Sequence, residues 1–254
     1  MAGPETRRWR RLDGAGNRRD SAEGLAQLQV DPAYHQALDF IAIQDWPAAE
    51  GLLLLLRQRY GIRVVFAIDS LLGYCLSMQA AHAEAWQVLE PLLEAPGRNF
   101  WLPHLAADAQ RGLGELAAAA ALYRRALAEH SDSAITVRNL MQVLLQLDGA
   151  AALQQLEQWQ QQQRLQGFVL EGVREALVGG QAPELDHWLD RVGLAGPSQQ
   201  RRLLEADLRR LDLAAVQARL SREGWQRCPW RGAVELRLAH LGLTSSDHSN
   251  NWAW

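Results

Sequence analysis

Apolar residues recur at intervals of three and four along most of this chain, from Leu25 onward. That spacing places them on one face of a helix, and no segment alternates as a half-buried strand would. Turn and capping residues divide the pattern into helices of roughly ten to fifteen residues joined by short loops. These interruptions are DP at 31–32, YG at 60–61, APG at 95–97, HSDS at 130–133, DG at 148–149, GGQAP at 179–183 and AGPS at 195–198. The pattern therefore predicts an all-α protein built from antiparallel helix pairs.

The helical pattern also repeats with a period of 34 residues. Frames begin at Phe66, Phe100 and Ala134, and an earlier frame begins near Val30. A fixed period of this size is typical of stacked helix pairs. The corresponding positions are the alanines Ala49, Ala85, Ala119 and Ala152, followed four residues later by Leu53, Leu89, Tyr123 and Leu156, with Ala152 one residue early in its frame.

Two segments of the repeat resemble the tetratricopeptide repeat family, DSLLGYCL at 69–76 and LGELAAAAALYRRALAEHSDS at 113–133. The family's pattern is W-x2-L-G-x2-Y in a first helix and A-x3-F in a second. The matching residues are Leu72, Gly73 and Leu76 in one segment, and Gly114 in the inter-helix turn, Ala119, Tyr123 and Ala126 in the other. The resemblance covers about residues 30–167, and it implies a right-handed superhelical solenoid of antiparallel helix pairs.

Five successive alanines, residues 117–121, lie in the middle of the second segment. Close approach of two helices requires small side chains at the contact. We expect Ala119 to lie at the crossing point. Because successive residues turn by 100° around a helix, the other four cannot all face it, and some serve only as good helix formers.

The periodicity and composition divide the chain into four regions. Residues 1–24 carry six arginines and almost no periodic apolar residues, so we expect a flexible arm. Residues 25–167 hold the tetratricopeptide-like repeats, and residues 168–243 continue with divergent helix pairs. Residues 244–254 form a tail, and four tryptophans near this end either close the stack or form an interface.

Composition restricts the possible partners and the compartment. The net charge of −3 gives no global attraction to nucleic acid or to an anionic membrane. Only Cys75 and Cys228 are present, too few for a disulfide framework, and we expect Cys75 to be a small core residue. The first twenty residues lack a signal-peptide core, and the longest aliphatic run, Leu52–Leu56, is too short to span a bilayer. These features predict a cytoplasmic protein with no membrane partner.

No pattern of catalytic or metal-binding residues is evident. The seven histidines do not stand at metal-ligand spacing, and H-E-x-x-H, C-x-x-C, EF-hand and G-x-S-x-G motifs are all missing from the sequence. GLGELA at 112–117 has too few glycines for a phosphate loop and reads as a turn between helices. We therefore predict a protein without catalytic residues, metal or cofactor.

The resemblance implies a concave groove, lined by the first helix of each pair, that holds a peptide or a partner's helix. The residues that it places there are Tyr34, Leu38, Ser70, Tyr74, Ser77, Trp101, His104, Asp108, Arg111, Arg138, Asn139 and Gln142. Arg138 and Asn139 could hydrogen-bond to a carboxylate or a peptide backbone. For any one residue the alternative stays open that the aromatic rings fill the core and the arginines are merely solvated.

The predicted function is therefore that of a noncatalytic scaffold binding a protein or peptide. One alternative is an accessory subunit of a modifying enzyme such as a glycosyltransferase. Another is nucleic-acid binding by the arginine arm, in which Trp9 stands among six arginines. Nucleic acid is not the partner that we expect, and the sequence does not indicate the oligomeric state.

Overall fold

The computed structural model of the protein describes residues 20–94, 101–129, 133–178, 183–222 and 225–240. Within these ranges the regular structure is helical and contains no β-strand, so the prediction of an all-α protein is confirmed. The α-helices are α1 (Ala22–Gln29), α2 (Pro32–Ala42), α3 (Trp46–Tyr60), α4 (Val65–Met78), α5 (His82–Leu89), α6 (Trp101–Gly112), α7 (Leu116–Ala128), α8 (Ala134–Leu147), α9 (Gly149–Gln161), α10 (Gly167–Val178), α11 (Pro183–Arg191), α12 (Pro197–Arg209), α13 (Leu213–Leu220) and α14 (Arg231–His240). Two short 3-10 helices cover Gly61–Val64 and Glu90–Leu92. The predicted arm up to residue 19 and the predicted tail at 244–254 lie outside the described residues.

The chain forms two compact units, which we call the N-terminal unit (Met1–Val143) and the C-terminal unit (Leu144–Trp254). In the N-terminal unit each helix from α2 to α6 packs against the next helix in the chain, and α4 also contacts α6. In the C-terminal unit α12 contacts α10, α11 and α13. Sequential packing through short turns fits the predicted helix pairs, while the superhelix and its handedness stay predictions.

Helix positions follow the repeat that the sequence predicts. The first helices α2, α4, α6 and α8 begin at residues 32, 65, 101 and 134, which are 33, 36 and 33 residues apart. The second helices α3, α5, α7 and α9 begin at 46, 82, 116 and 149. The predicted equivalent positions all have 0% exposure: Ala49, Ala85, Ala119, Ala152, Leu53, Leu89, Tyr123 and Leu156. The equivalent positions of the repeat therefore hold side chains of the protein interior.

Several helices end in the same turn. In each of these turns one residue has φ in the left-handed region. The backbone N–H of the residue after it donates to the carbonyl oxygen of the residue five positions earlier than the donor, with N···O distances of 2.8 to 3.0 Å. This is the hydrogen bond of the Schellman motif, which satisfies carbonyls at a helix end. The left-handed residues are Gln44, Ala80, Gly114, Gln163, Gly193 and Leu211. Gly114 occupies the inter-helix turn, as the sequence predicts.

Small residues set the distance between paired helices. Ala119 and Ala120 are buried on α7, whereas the other three alanines of the run are exposed, so the expected division between packing and helix propensity is confirmed. On α4, a Cβ added to Gly73 would lie 2.4 Å from Leu89 Cγ on α5. That separation is far inside van der Waals contact, so glycine permits this approach of α4 to α5.

One stretch of the described residues is long and apolar enough to cross a membrane by length and composition alone. It covers Trp46–Met78, with a mean hydropathy of 1.4 in an 18-residue window of which half is buried. The stretch consists of α3 and α4, which are separated at Gly61 (φ 57°) and pack against each other. Core helices of this kind meet the same criterion, so the finding is weak evidence for a membrane span.

Candidate functional site

The residues predicted to line a groove all lie in the N-terminal unit. Tyr34 and Leu38 are on α2; Ser70, Tyr74 and Ser77 on α4; Trp101, His104, Asp108 and Arg111 on α6; and Arg138, Asn139 and Gln142 on α8. Side chains from α6, α7 and α8 meet around one carboxylate. We call them the Asp108 cluster: His104, Asp108, Arg111, Tyr123, Thr136, Arg138 and Asn139.

The Asp108 carboxylate interacts with donor groups on α6, α7 and α8. Its Oδ1 accepts from Asn139 Nδ2 at 3.1 Å and from the Tyr123 hydroxyl, and Arg111 Nη2 lies 3.4 Å from the same atom. His104 Nε2 lies 3.3 Å from Oδ2. A carboxylate offers about four lone-pair sites. The carboxylate thus joins α6, α7 and α8.

These donors determine the ionisation of the cluster. Burial disfavours the charged form of Asp108, but the hydrogen bond and charge of His104, the Tyr123 hydroxyl and the charge of Arg111 outweigh it and lower the pKa of Asp108. Burial, the nearby Asp108 charge and the hydrogen bond to it raise the pKa of Tyr123. Asp108 is therefore a carboxylate and Tyr123 a neutral donor at neutral pH.

Thr136, His104 and Asp108 stand in the order hydroxyl, imidazole, carboxylate. His104 Nδ1 lies 2.9 Å from Thr136 Oγ1, and its other ring nitrogen faces Asp108. This order is that of nucleophilic triads, which require a hydroxyl within reach of substrate. Thr136 has 0% exposure and His104 3%. Because substrate cannot reach this hydroxyl, we assign the arrangement a structural role.

Asn139 connects the buried part of the cluster to Arg138. Its Oδ1 accepts from Arg138 Nε and Nη2, both at 3.3 Å, and its Nδ2 donates to Asp108. Asn139 is only 3% exposed. The sequence suggests that its amide could contact a ligand, but both ends of the amide are engaged within the protein. Asn139 instead positions the Arg138 guanidinium.

The accessible edge of the cluster carries an indole and two guanidinium groups. Trp101 is 41% exposed, and its ring meets that of His104 edge to face at 5.2 Å. The Arg111 side chain is 34% exposed, and Arg138 is half-buried. Guanidinium N–H groups can bind carboxylates or carbonyl oxygens, and an indole can cover an apolar side chain.

The predicted residues of α4 are Ser70, Tyr74 and Ser77, and each is buried or half-buried. Tyr74 is half-buried against Trp46, with ring centroids 5.5 Å apart. Desolvation raises its pKa, and the Cys75 thiol and the Asp108 charge add to the shift, so Tyr74 lies within electrostatic reach of the cluster. Ser70 is buried and donates to Phe66 O of its own helix at 2.7 Å. Ser77 Oγ is buried and has no hydrogen-bond partner among the described residues.

The remaining predicted residues are Tyr34 and Leu38 on α2 and Gln142 on α8. Tyr34 and Leu38 are half-buried on α2, and Tyr34 packs against the apolar core. Burial, followed by the charge of Asp20, raises the pKa of Tyr34. Gln142 is half-buried on α8. The site that the structure assembles is therefore concentrated on α6 and α8.

Two members of the cluster were not predicted as site residues. Tyr123 occupies the repeat position that holds leucine at 53, 89 and 156, so a phenol in place of an aliphatic side chain was the available signal. Its ring also packs edge to face with His104 at 5.5 Å. Thr136 gave no comparable signal, because threonine is compatible with either face of a helix.

The Cys75 thiol is predicted to be a small core residue. Burial raises the pKa of the Cys75 thiol to about 12, with Glu50 adding to the effect, and the side chain is fully buried, which confirms its expected place in the core. Within the described ranges, no three His, Cys, Asp or Glu side chains are grouped so that they could hold a metal ion.

No family model, curated protein or solved structure matches this chain. The tetratricopeptide resemblance therefore rests on the residues of the chain itself.

Proposed function

We propose that the N-terminal unit is a noncatalytic, tetratricopeptide-like scaffold that binds a protein or peptide along α6 and α8. The observation that carries this proposal is the Asp108 cluster, which joins residues predicted for a groove on two successive first helices and has Trp101, Arg111 and Arg138 at its edge. The helix spacing of 33 to 36 residues and the fully buried repeat alanines support the repeat architecture.

The mechanism is preorganisation. Hydrogen bonds through Asp108 hold α6, α7 and α8 together before any partner arrives, and Asn139 fixes the Arg138 guanidinium. The entropy of ordering these groups is lost on folding, so less is lost on binding. Arg111 and Arg138 donate to carbonyl or carboxylate oxygens of the partner, while the Trp101 ring covers an apolar side chain.

Affinity capture with the full chain tests the proposal. The test variant combines Trp101→Ala, Arg111→Gln and Arg138→Gln, and the control is Arg209→Gln, a side chain that is 80% exposed in the C-terminal unit. Proteins captured from the source cell's extract by the parent are identified by mass spectrometry, and the affinity of each purified candidate is then measured. We expect the triple variant to bind the partner at least about tenfold more weakly, which is the loss of about 1.4 kcal/mol.

The control should bind like the parent protein. Circular dichroism and thermal unfolding establish that the triple variant keeps its fold, which we expect because none of its three side chains is fully buried. Equal affinity of the folded triple variant and the control for every captured partner would contradict the proposed binding face.

A further inference from the structure

The C-terminal unit contains a second polar cluster, centred on Asp190 near the end of α11. Asp190 Oδ2 accepts from Arg222 Nη1 at 2.7 Å and from Arg219, and its Oδ1 accepts from Trp225 Nε1 at 2.6 Å. Arg219 also donates through Nε to Asp207 Oδ2 at 2.8 Å. We call these five residues the Asp190 cluster. It joins α11, α12 and α13 to the segment that contains Trp225.

A cavity of about 390 Å³ lies beside this cluster. Sites for small molecules have volumes of about 300 to 1,000 Å³, so this volume is sufficient for a small ligand. The lining residues are Asp190, Arg191, Gly193, Ala195, Gln200, Arg222 and Trp225. A Cβ added to Gly193 would meet no atom within 4 Å, so the wall is open at this residue. Gly193 has φ 73°, and it ends α11 in the turn that leads to Ala195.

The charge around the cavity favours an anion. Within the described lining and the Asp190 cluster, Arg191, Arg219 and Arg222 contribute three positive charges and Asp190 and Asp207 two negative charges, so this set of residues has an excess of one positive charge. Both oxygens of Asp190 already accept hydrogen bonds, so this carboxylate is neutralised by its own donors.

Two arginines are accessible to a ligand. The Arg222 side chain is 52% exposed although one of its N–H groups donates to Asp190. Arg191 is exposed at the last position of α11 and has no acidic partner among the described residues. Two guanidinium groups at one cavity provide several N–H donors to oxyanions such as carboxylate and phosphate.

We propose that this cavity binds a small anionic molecule through a carboxylate or phosphate group held by Arg191 and Arg222. Gln200 lines the cavity beside them, and the Asp190 cluster fixes the Arg222 guanidinium and the Trp225 indole. All of these residues belong to the C-terminal unit, so the proposal stands independently of the peptide-binding function of the N-terminal unit.

The Trp225 indole N–H provides a local probe for the test. Two-dimensional ¹H–¹⁵N spectra of the full chain resolve indole N–H signals, and Trp225→Phe identifies the signal that belongs to this residue. Inorganic phosphate and citrate are titrated separately at constant ionic strength, with sodium chloride as the balancing salt. The two anions distinguish a preference for phosphate from a preference for carboxylate.

We expect the Trp225 signal to shift saturably with at least one of the two anions. Arg191→Gln should weaken the apparent affinity at least fivefold while the rest of the spectrum stays close to that of the parent, because the Arg191 side chain is exposed. Arg222→Gln should also weaken the apparent affinity, and Arg209→Gln should bind like the parent. A shift that does not saturate with either anion, or equal affinities for Arg191→Gln and Arg209→Gln, overturns the proposal.

Discussion

The Asp108 and Asp190 clusters use similar side chains at different depths. The Asp108 side chain is 23% exposed, and its donors include the neutral Tyr123 and Asn139. Asp190 is 5% exposed and is held mainly by the guanidinium groups of Arg219 and Arg222. A cluster near water can present some of its groups to a partner, whereas a buried ion network cannot lose one member without leaving a charge uncompensated.

The two units also differ in the side chains that surround each cluster. In the N-terminal unit an aliphatic core extends from Leu28 to Ala109 and supports the helix pairs. In the C-terminal unit, Gln199, Gln200, Asp207 and Arg219 are buried within the same helices as a smaller apolar cluster. Asp207 and Arg219 form an ion pair between α12 and α13, and neither side chain is more than 8% exposed. We expect the stability of the C-terminal unit to depend more strongly on individual ion pairs.

The largest expected effect is that of Asp190→Ala. The substitution leaves the buried Arg219 with one carboxylate partner and removes the acceptor of the Trp225 N–H. Breaking a buried charge network by removing one member costs about 3 to 5 kcal/mol. Hydrogen exchange measured by mass spectrometry should show that α11, α12 and α13 lose protection, while α2 to α5 keep theirs.

Glu205→Ala is the control for this substitution. Glu205 pairs with Arg201 and Arg209 on the surface of α12, and its side chain is 42% exposed. Exposed ion pairs contribute about 0 to 1 kcal/mol, so protection should remain close to that of the parent. Similar losses for Asp190→Ala and Glu205→Ala would show that the Asp190 cluster is not a principal stabilising contact.

Asp108→Asn should have a smaller effect that depends on pH. Hydrogen bonds to charged groups contribute about 1.5 to 3 kcal/mol, and we expect a loss at the lower end because Arg111 can return to water. The pKa of Asp108 is lowered on folding, so its stabilisation is present above the unfolded pKa, near 3.9, and is lost as pH falls through the folded value.

Urea unfolding of the parent and Asp108→Asn between about pH 7 and pH 2 measures this dependence. The difference in the free energy of unfolding should be largest at neutral pH and should decrease below about pH 4. Asp39→Asn, on an exposed position of α2, is the control and should change stability by no more than about 0.5 kcal/mol at any pH. A constant difference across this range would contradict the assignment of a stabilising charge to Asp108.

The sequence predicts local features of this protein better than its polar contacts. Helix boundaries and the buried alanines follow from periodicity and turn chemistry, which act over a few residues. The candidate residues on α6 and α8 are predicted from their repeat positions, but the engagement of both ends of the Asn139 amide depends on how α8 lies against α6. The pairs formed by Asp190, Arg219 and Asp207 likewise join distant helices without any motif. Contacts of that kind require the three-dimensional arrangement.

Tyr123→Phe should lower the free energy of unfolding by less than Asp108→Asn does. The ring and its contact with His104 are retained, and only the donor to Asp108 is removed. We expect a loss of about 0.5 to 1.5 kcal/mol, the contribution of a typical hydrogen bond. In a double-mutant cycle with Asp108→Asn, measured by urea unfolding at neutral pH, the two effects should be non-additive by at least about 0.5 kcal/mol. Strict additivity would mean that the hydroxyl and the carboxylate do not stabilise each other.

The smallest effects are expected at the turns that end the helices. These turns occur in both units, so substitutions there test whether the units differ only in their polar clusters. Ala80 has φ 58° and Leu211 φ 56°, in a region where glycine is favoured over other residues. Leu211 is 78% exposed, so removing its side chain sacrifices little buried surface. Ala80→Gly and Leu211→Gly should each stabilise the protein by about 0.5 to 1 kcal/mol in urea unfolding, because relief of the left-handed strain exceeds the added flexibility of the unfolded chain. Ala118→Gly, at an exposed position inside α7, is the matched control and should destabilise by about 1 kcal/mol. Stabilisation at both turns would show that the two units share one turn design and differ mainly in their polar clusters, whereas destabilisation at either turn would mean that its Schellman geometry is not under the expected strain.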